Sequence, residues 1–319
     1  MSSSRSLLPV AAAATTVVLW ASAFVGIRAV GHDLSPGALA LGRMLAGSLT
    51  LTVIVLAVRL RRAGLRSVGA GLPRGRLLGA VVLWGAGWFG VYNVALNAAE
   101  RHLDAGTTSL LVNVAPVVVA VLAGLLLGEG FPRRLLAGMA VAFGGVVLIA
   151  VTSSAGGTET SGIVLGLLAA LTYAGAAVAQ KRLLARIDAL TLTWLGALAG
   201  TVGLLPFFPA LLGELAVAPA AAVAGTVYLG VFPTAIAFLT WGYALSRTTA
   251  GRLAAATYAV PPIVVGLSWV LLGEVPALLA LAGGALCLAG VAVATRNRPR
   301  AAAPVPADTG SVERRIPTP

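Results

Sequence analysis

The sequence predicts an all-α integral membrane protein of ten transmembrane helices arranged as two inverted five-helix repeats. Three observations lead there. Of 319 residues, 59% are hydrophobic and only 10% charged, with a mean hydropathy of +0.97, whereas a soluble domain carries roughly 25% charge. The apolar residues fall in long continuous runs rather than on alternate positions, which reads as membrane helices and not as barrel strands. A stretch of the first half also recurs in the second at a fixed offset. This composition excludes a water-soluble globule and a disordered main body. The single cysteine, Cys287, lies inside an apolar run, which excludes a disulfide scaffold.

A bilayer core takes about 20 apolar residues per helix. The runs that reach or approach this length are residues 9–29, 36–58, 76–98, 105–127, 133–151, 162–181, 191–212, 220–244, 250–272 and 276–295. The first could pass for a secretory signal, with Arg5 before it and Ala21, Ser22, Ala23 inside it. It continues past that triplet, and nine more runs follow.

The net charge of +12 would ordinarily suggest nucleic acid or a membrane surface, and its distribution decides between them. With the N-terminus inside, one side of the membrane receives 19 of the 22 Lys and Arg, leaving Arg28, Arg43 and Arg101. Asp33, Glu100, Asp104, Glu159, Glu214 and Glu274 fall on the other side. The positive-inside rule then puts both termini in the cytoplasm and the chain in the cell membrane as a multi-pass protein. No nucleic-acid partner is expected, only the lipid bilayer and a small-molecule substrate; a homodimer is left open.

At an offset of 145, AGTTSLLVNVAPVVVAVLAGLLLGE (105–129) lies over AGRLAAATYAVPPIVVGLSWVLLGE (250–274), matching Pro116 with Pro261 and Leu-Gly-Glu with Leu-Gly-Glu. A weaker echo at offset 153 sets Trp20 against Tyr173 and Arg28 against Lys181. The chain therefore divides into a first repeat (1–151), a second (152–295) and a polar Pro- and Arg-rich tail (296–319) read as a disordered basic cytoplasmic end. Five spans per repeat is odd, so the second copy starts from the opposite face and is inverted. Inverted repeats are the architecture of alternating-access carriers, with the substrate near the midplane.

Two five-span repeats, a proline in the fourth span of each followed by Leu-Gly-Glu, Trp20 in the first span, Arg43 inside the second and YNVALNAAERHLDAG leading into the fourth together resemble the EamA family of the drug/metabolite transporter superfamily. The resemblance covers residues 9–295. It implies a cytoplasmic-membrane carrier of metabolites, often an exporter of amino acids or related compounds. It also implies a central cavity lined by the first four spans of each half, with the fifth spans peripheral. It does not identify the substrate. The small multidrug members of the superfamily carry a glutamate in their first span, where this chain has Ala, Ser and Trp, which argues against a dedicated exporter of lipophilic cations.

The candidate substrate-binding residues follow from polar and aromatic side chains inside apolar runs. Trp84, Trp88 and Tyr92 recur every fourth residue in the third span, beside an amide pair, Asn93 and Asn97. Buried amides in hydrocarbon need partners, so this strip should meet a neighbouring helix or a wet cavity. Asn113 stands one turn before Pro116, with Tyr258 as its repeat mate. Trp20, Phe24 and Arg28 stripe the first span, echoed by Tyr173, Ala177 and Lys181 in the sixth, and Trp241 is a further aromatic candidate. Arg43 is the one charge well inside a span, at about 2.5–3.5 kcal/mol on insertion scales. Either it binds a substrate carboxylate or it ties helices together. Pro116 and Pro261 break backbone hydrogen bonds mid-span and are candidate hinges. Glu129 and Glu274 end their spans shortly before Pro132 and Pro276, where a carboxylate suits the positive end of the next helix dipole. Glu100 and Asp104 border the outer loop, which leaves proton coupling without a carrier group.

Other signals point nowhere. Gly85, Gly87 and Gly90 spell a dinucleotide fingerprint, but inside a membrane helix they read as a small-residue packing face. No histidine lies at metal-ligand spacing from other ligands, no nucleophile turn occurs, and no cofactor, metal or enzyme activity is expected. The sequence thus reads as a secondary transporter exporting an amino acid or related metabolite. An importer of a neutral solute such as a sugar or nucleoside is the alternative, and a membrane enzyme or non-transporting sensor the remote one.

Overall fold

The computed structural model describes residues 4–63, 72–119, 122, 133–153, 157–245, 247 and 256–295. Glu129 and the tail 296–319 lie outside the described residues. Among the described residues the ordered elements are all helices: α1 (Ser4–Val30), α2 (Pro36–Ala63), α3 (Gly75–Ala99), α4 (Ala105–Val119), α5 (Arg133–Ser153), α6 (Gly157–Leu183), α7 (Ala189–Leu215), α8 (Ala220–Leu245), α9 (Thr257–Leu272) and α10 (Leu278–Thr295). Six of them, α1, α2, α3, α6, α7 and α8, are long and apolar enough to cross a membrane by length and composition. The others contribute shorter apolar stretches, Ala105–Val119, Leu136–Ile149, Thr257–Leu272 and Leu278–Gly290. The expectation of ten spans is therefore met at full length by six. The central windows of those six are only 33–50% buried within the protein. Large side chains such as Leu83, Phe143 and Trp269 stand exposed, as suits a surface meeting lipid.

Local chemistry sets the helix ends. Asp104 and Asp188 cap α4 and α7 in the same way, accepting from the backbone N–H of Thr107 at 2.8 Å and Thr191 at 3.0 Å. Helix α9 closes on Gly273, whose φ of 67° is left-handed backbone that favours glycine. The Glu274 N–H then turns back to the Ser268 carbonyl at 3.3 Å. This is what the glycine of Leu-Gly-Glu does in the second repeat; the first copy lies outside the described residues.

Helix pairs form across the two halves. Helix α1 packs on α8 and α9, while α6 packs on α3 and α4; α2 lies against α7, and α5 against α10. Glycines let backbones touch at these crossings. A Cβ on Gly85 would fall on the carbonyl of Gly196, and one on Gly283 would meet the backbone of Gly145. The expected packing face of Gly85, Gly87 and Gly90 reduces to Gly85 alone, since a Cβ on either of the other two would meet nothing.

Two helices depart from α geometry at matching places. A π segment spans Ala86–Val91 in α3 and another spans Gly230–Ile236 in α8, and at offset 145 Gly85 falls on Gly230. The fourth helices break equivalently. Turn geometry at Asn113 and Val114 precedes Pro116, and a 3-10 turn at Thr257–Ala259 precedes Pro261. A proline cannot donate to the carbonyl one turn earlier, so the helix yields there.

Gly85→Ala should lower the detergent-solubilised protein's stability by about 1–3 kcal/mol through overpacking of α3 against α7, read as a drop in melting temperature, whereas Gly87→Ala should leave it unchanged.

Candidate functional site

Two adjoining cavities open between the halves, of about 50 and 40 Å³, room for a few waters each. They share Trp20, Phe24, Tyr92 and Tyr173 as a common wall. The first also meets Arg43, Trp88 and Asn93 on one side and Pro233, Thr234 and Phe238 on the other. The second is completed by Asn113, Pro116, Thr257 and Val260. Helices α1, α2, α3, α4, α6, α8 and α9 therefore reach the cavities. Helix α7 lines neither cavity, and its Gly196 lies under the ring of Trp84.

The wall is a set of interlocked rings. Trp88 meets Tyr173 edge-on at 5.4 Å and Phe238 at 5.4 Å, and Tyr92 lies 6.2 Å from Tyr173. Behind Trp20, at 4.9 Å, stands Trp241, which supports the wall without lining it.

The π segments explain the polar groups. A π turn leaves carbonyls without their usual i+4 donor, and a side chain supplies one in each helix. In α3 the Asn93 amide donates to the carbonyls of Phe89 at 2.9 Å and Trp88 at 3.3 Å. In α8 the Thr234 hydroxyl donates to the Leu229 carbonyl at 2.8 Å. Arg43, 5% exposed, donates from Nη2 to that same hydroxyl oxygen at 3.2 Å. Its Nε and Nη1 have no protein partner. A buried guanidinium thus faces an aromatic cavity with two nitrogens unsatisfied.

Several expected residues sit elsewhere. Asn97 donates to the Pro36 carbonyl at 3.1 Å, tying α3 to the start of α2. Tyr258 packs against Val117, Met139 and Ala142, away from the cavity that its neighbour Thr257 reaches. Pro261 is buried without lining either cavity. Asn113 lines the second cavity, but its amide donates to the Ser109 carbonyl at 3.0 Å. Glu274 meets a side chain and not a helix end: Arg28 Nε lies 3.0 and 3.3 Å from its two carboxylate oxygens. This ion pair joins the first half to the second.

Sequence reasoning missed Phe89, Pro233, Thr234 and Phe238 as wall residues. It also misjudged Glu100. That residue follows α3 directly, yet it is only 2% exposed and neither carboxylate oxygen has a hydrogen-bond partner. Burial pushes its carboxyl well above the usual carboxylate range, against the pull of Arg28 and Arg43. Among the described residues no three His, Cys, Asp or Glu gather as a metal site would need.

The sequence profile of the EamA-like transporter family matches this chain twice, at residues 7–151 and 160–296. Over 88% of its length the chain is 42% identical to the probable terminal-alkyne amino-acid exporter of Streptantibioticus cattleyicolor, covering 91% of that protein. It is 27% identical to the probable amino-acid metabolite efflux pump of Salmonella typhimurium, over 64% of this chain and 71% of that one. A crystal structure 19% identical in sequence superposes with a TM-score of 0.59, across 90% of this chain and 97% of the other, and shares its fold.

Asn93→Ala should leave the carbonyls of the α3 π segment unsatisfied and cost about 1–3 kcal/mol, measured as earlier thermal unfolding in detergent; Thr234→Val should have a similar effect in α8.

Proposed function

We propose, from the premise that this chain belongs to the EamA-like transporter family, that it exports an amino acid or a closely related carboxylate-bearing metabolite across the cytoplasmic membrane. The observation that carries this reading is Arg43, a buried guanidinium on the wall of an aromatic cavity with Nε and Nη1 unpartnered. A substrate carboxylate would satisfy those donors and offset the desolvation of the charge. The rings of Trp20, Trp88, Tyr92 and Tyr173 would hold the apolar part of the substrate. The related exporter and efflux pump, both named for amino-acid compounds, support the substrate class.

In this reading all ten helices span the bilayer as two inverted repeats (1–151 and 152–295), with both termini cytoplasmic. Helix α5, at 21 residues, would be about 32 Å long and α10, at 18, about 27 Å, close to the 30 Å hydrocarbon core. A space for only a few waters must widen before it admits an amino acid. Pro116 and Pro261, where the fourth helices already break, serve as the hinges of alternating access.

Reconstituted vesicles loaded with radiolabelled amino acids test this. Arg43→Gln should lose efflux at least tenfold while its melting profile stays near wild type; lost folding together with lost flux would instead assign Arg43 a structural role. Pro116→Ala should slow efflux at normal expression, and unchanged rates would remove the hinge.

A further inference from the structure

Five of the six buried side-chain polar atoms without partners among the described residues belong to three residues: Arg43 Nε and Nη1, Asn97 Oδ1 and both oxygens of Glu100. Three of those five are acceptors on one short stretch of chain. Asn97 and Glu100 are three apart, and Glu100 keeps right-handed helical backbone with a φ of −72°, so their side chains rise from the same face. Buried acceptors without a donor are a costly arrangement. A single proton on Glu100 removes its charge and turns one of its oxygens into a donor.

Charged groups from several elements surround this carboxyl. Arg28 of α1 and Arg43 of α2 attract its ionised form, while Asp104 in the adjoining turn and Glu274 beyond α9 repel it; Tyr92 of α3 also interacts with it. Arg28 is already at hand, since its Nη1 donates to the Glu100 backbone carbonyl at 2.7 Å while its Nε holds Glu274. We propose that Glu100 is a proton-binding site whose occupancy decides whether Arg28 holds Glu274. With the proton bound, Glu100 is neutral and Arg28 bridges the two halves. When the proton leaves, the new carboxylate competes for Arg28, Glu274 is released, and α1 parts from the end of α9.

The sign follows from burial. The closed arrangement raises the acid's affinity for its proton, so closure is favoured in full below the ordinary carboxylate range and lost as pH rises through the closed-state value. The proton site does not rest on the export reading.

The test uses the full-length protein in lipid nanodiscs without substrate, in a Cys287→Ala background with spin labels at His32→Cys and Val275→Cys, exposed positions flanking Arg28 and Glu274. The label separation should be short in acid and lengthen as pH rises. Glu100→Gln, which mimics the neutral acid, should hold it short at every pH, and Glu274→Gln should hold it long. Infrared spectra of the unsubstituted protein should show a carboxyl that stays protonated above the ordinary carboxylate range and is missing in Glu100→Gln. Wild-type pH dependence in Glu100→Gln, a missing carboxyl band, or a separation that follows sodium concentration at fixed pH would each overturn the proposal. A failure of amino-acid efflux alone would not touch it.

Discussion

Hydrocarbon offers no hydrogen-bond partner, so every polar group that enters it must find one within the protein. The arrangement of this fold follows from meeting that demand and from the few places where it goes unmet. Thr16 bonds Thr240 at 2.8 Å between α1 and α8, Ser48 bonds Thr201 at 2.8 Å between α2 and α7, and Trp84 donates to the Ala176 carbonyl at 3.0 Å between α3 and α6. Lipid is as apolar as the side chains it meets, so it drives helices together weakly. These bonds and the glycine crossings do the work that hydrophobic burial does in water. The π segments are the most expensive features in this light, and each carries its own remedy in Asn93 or Thr234.

Against that background the unsatisfied groups stand out. Arg43, Asn97 and Glu100 are all buried and polar; Arg43 lines a cavity, and Glu100 is tied through its carbonyl to Arg28 of the ion pair that joins the halves. A scaffold whose buried serines and threonines mostly find partners, Ser268 excepted, leaves these groups open. In the proposed reading, a partner that arrives during function, a substrate carboxylate for Arg43 and a proton for Glu100, would account for both with the same physical cause.

The broad architecture was legible in the sequence because it rests on composition and period. Continuous apolar runs and the doubled Pro…Leu-Gly-Glu are local signals, and Trp20, Trp88, Tyr92 and Tyr173 could be picked out as rings in spans that meet at one cavity wall. What stayed hidden depends on register or on distance. The π turn between Ala86 and Val91 adds residues to its turns, so an i, i+4 reading kept Trp84 on the same face as Trp88 and Tyr92 when it turns instead to Gly196 and Ala176, and it overlooked Phe89. Thr234 lies within a second such turn and Phe238 just beyond it. Glu100 looked like a loop residue because it lies two positions beyond its apolar run. Its burial comes from packing with elements far along the chain, as does the pairing of Glu274 with Arg28 across 246 positions.

The two halves share a scaffold but not a site. At offset 153 Arg43 falls on Gly196, and at offset 145 Asn93 falls on Phe238 and Thr234 on Phe89. Where one half places a guanidinium beside the cavity, the other has a glycine covered by the ring of Trp84. Where α3 repairs its π turn with an amide, the matching position of α8 is a phenyl ring on the cavity wall. The symmetric parts are the π turns, the broken fourth helices and the paired crossings. The asymmetric parts fix charge at one end of the cavity and rings around the rest. A symmetric pocket would bind a two-ended molecule equally well either way round; a single guanidinium at one side gives a bound carboxylate one orientation.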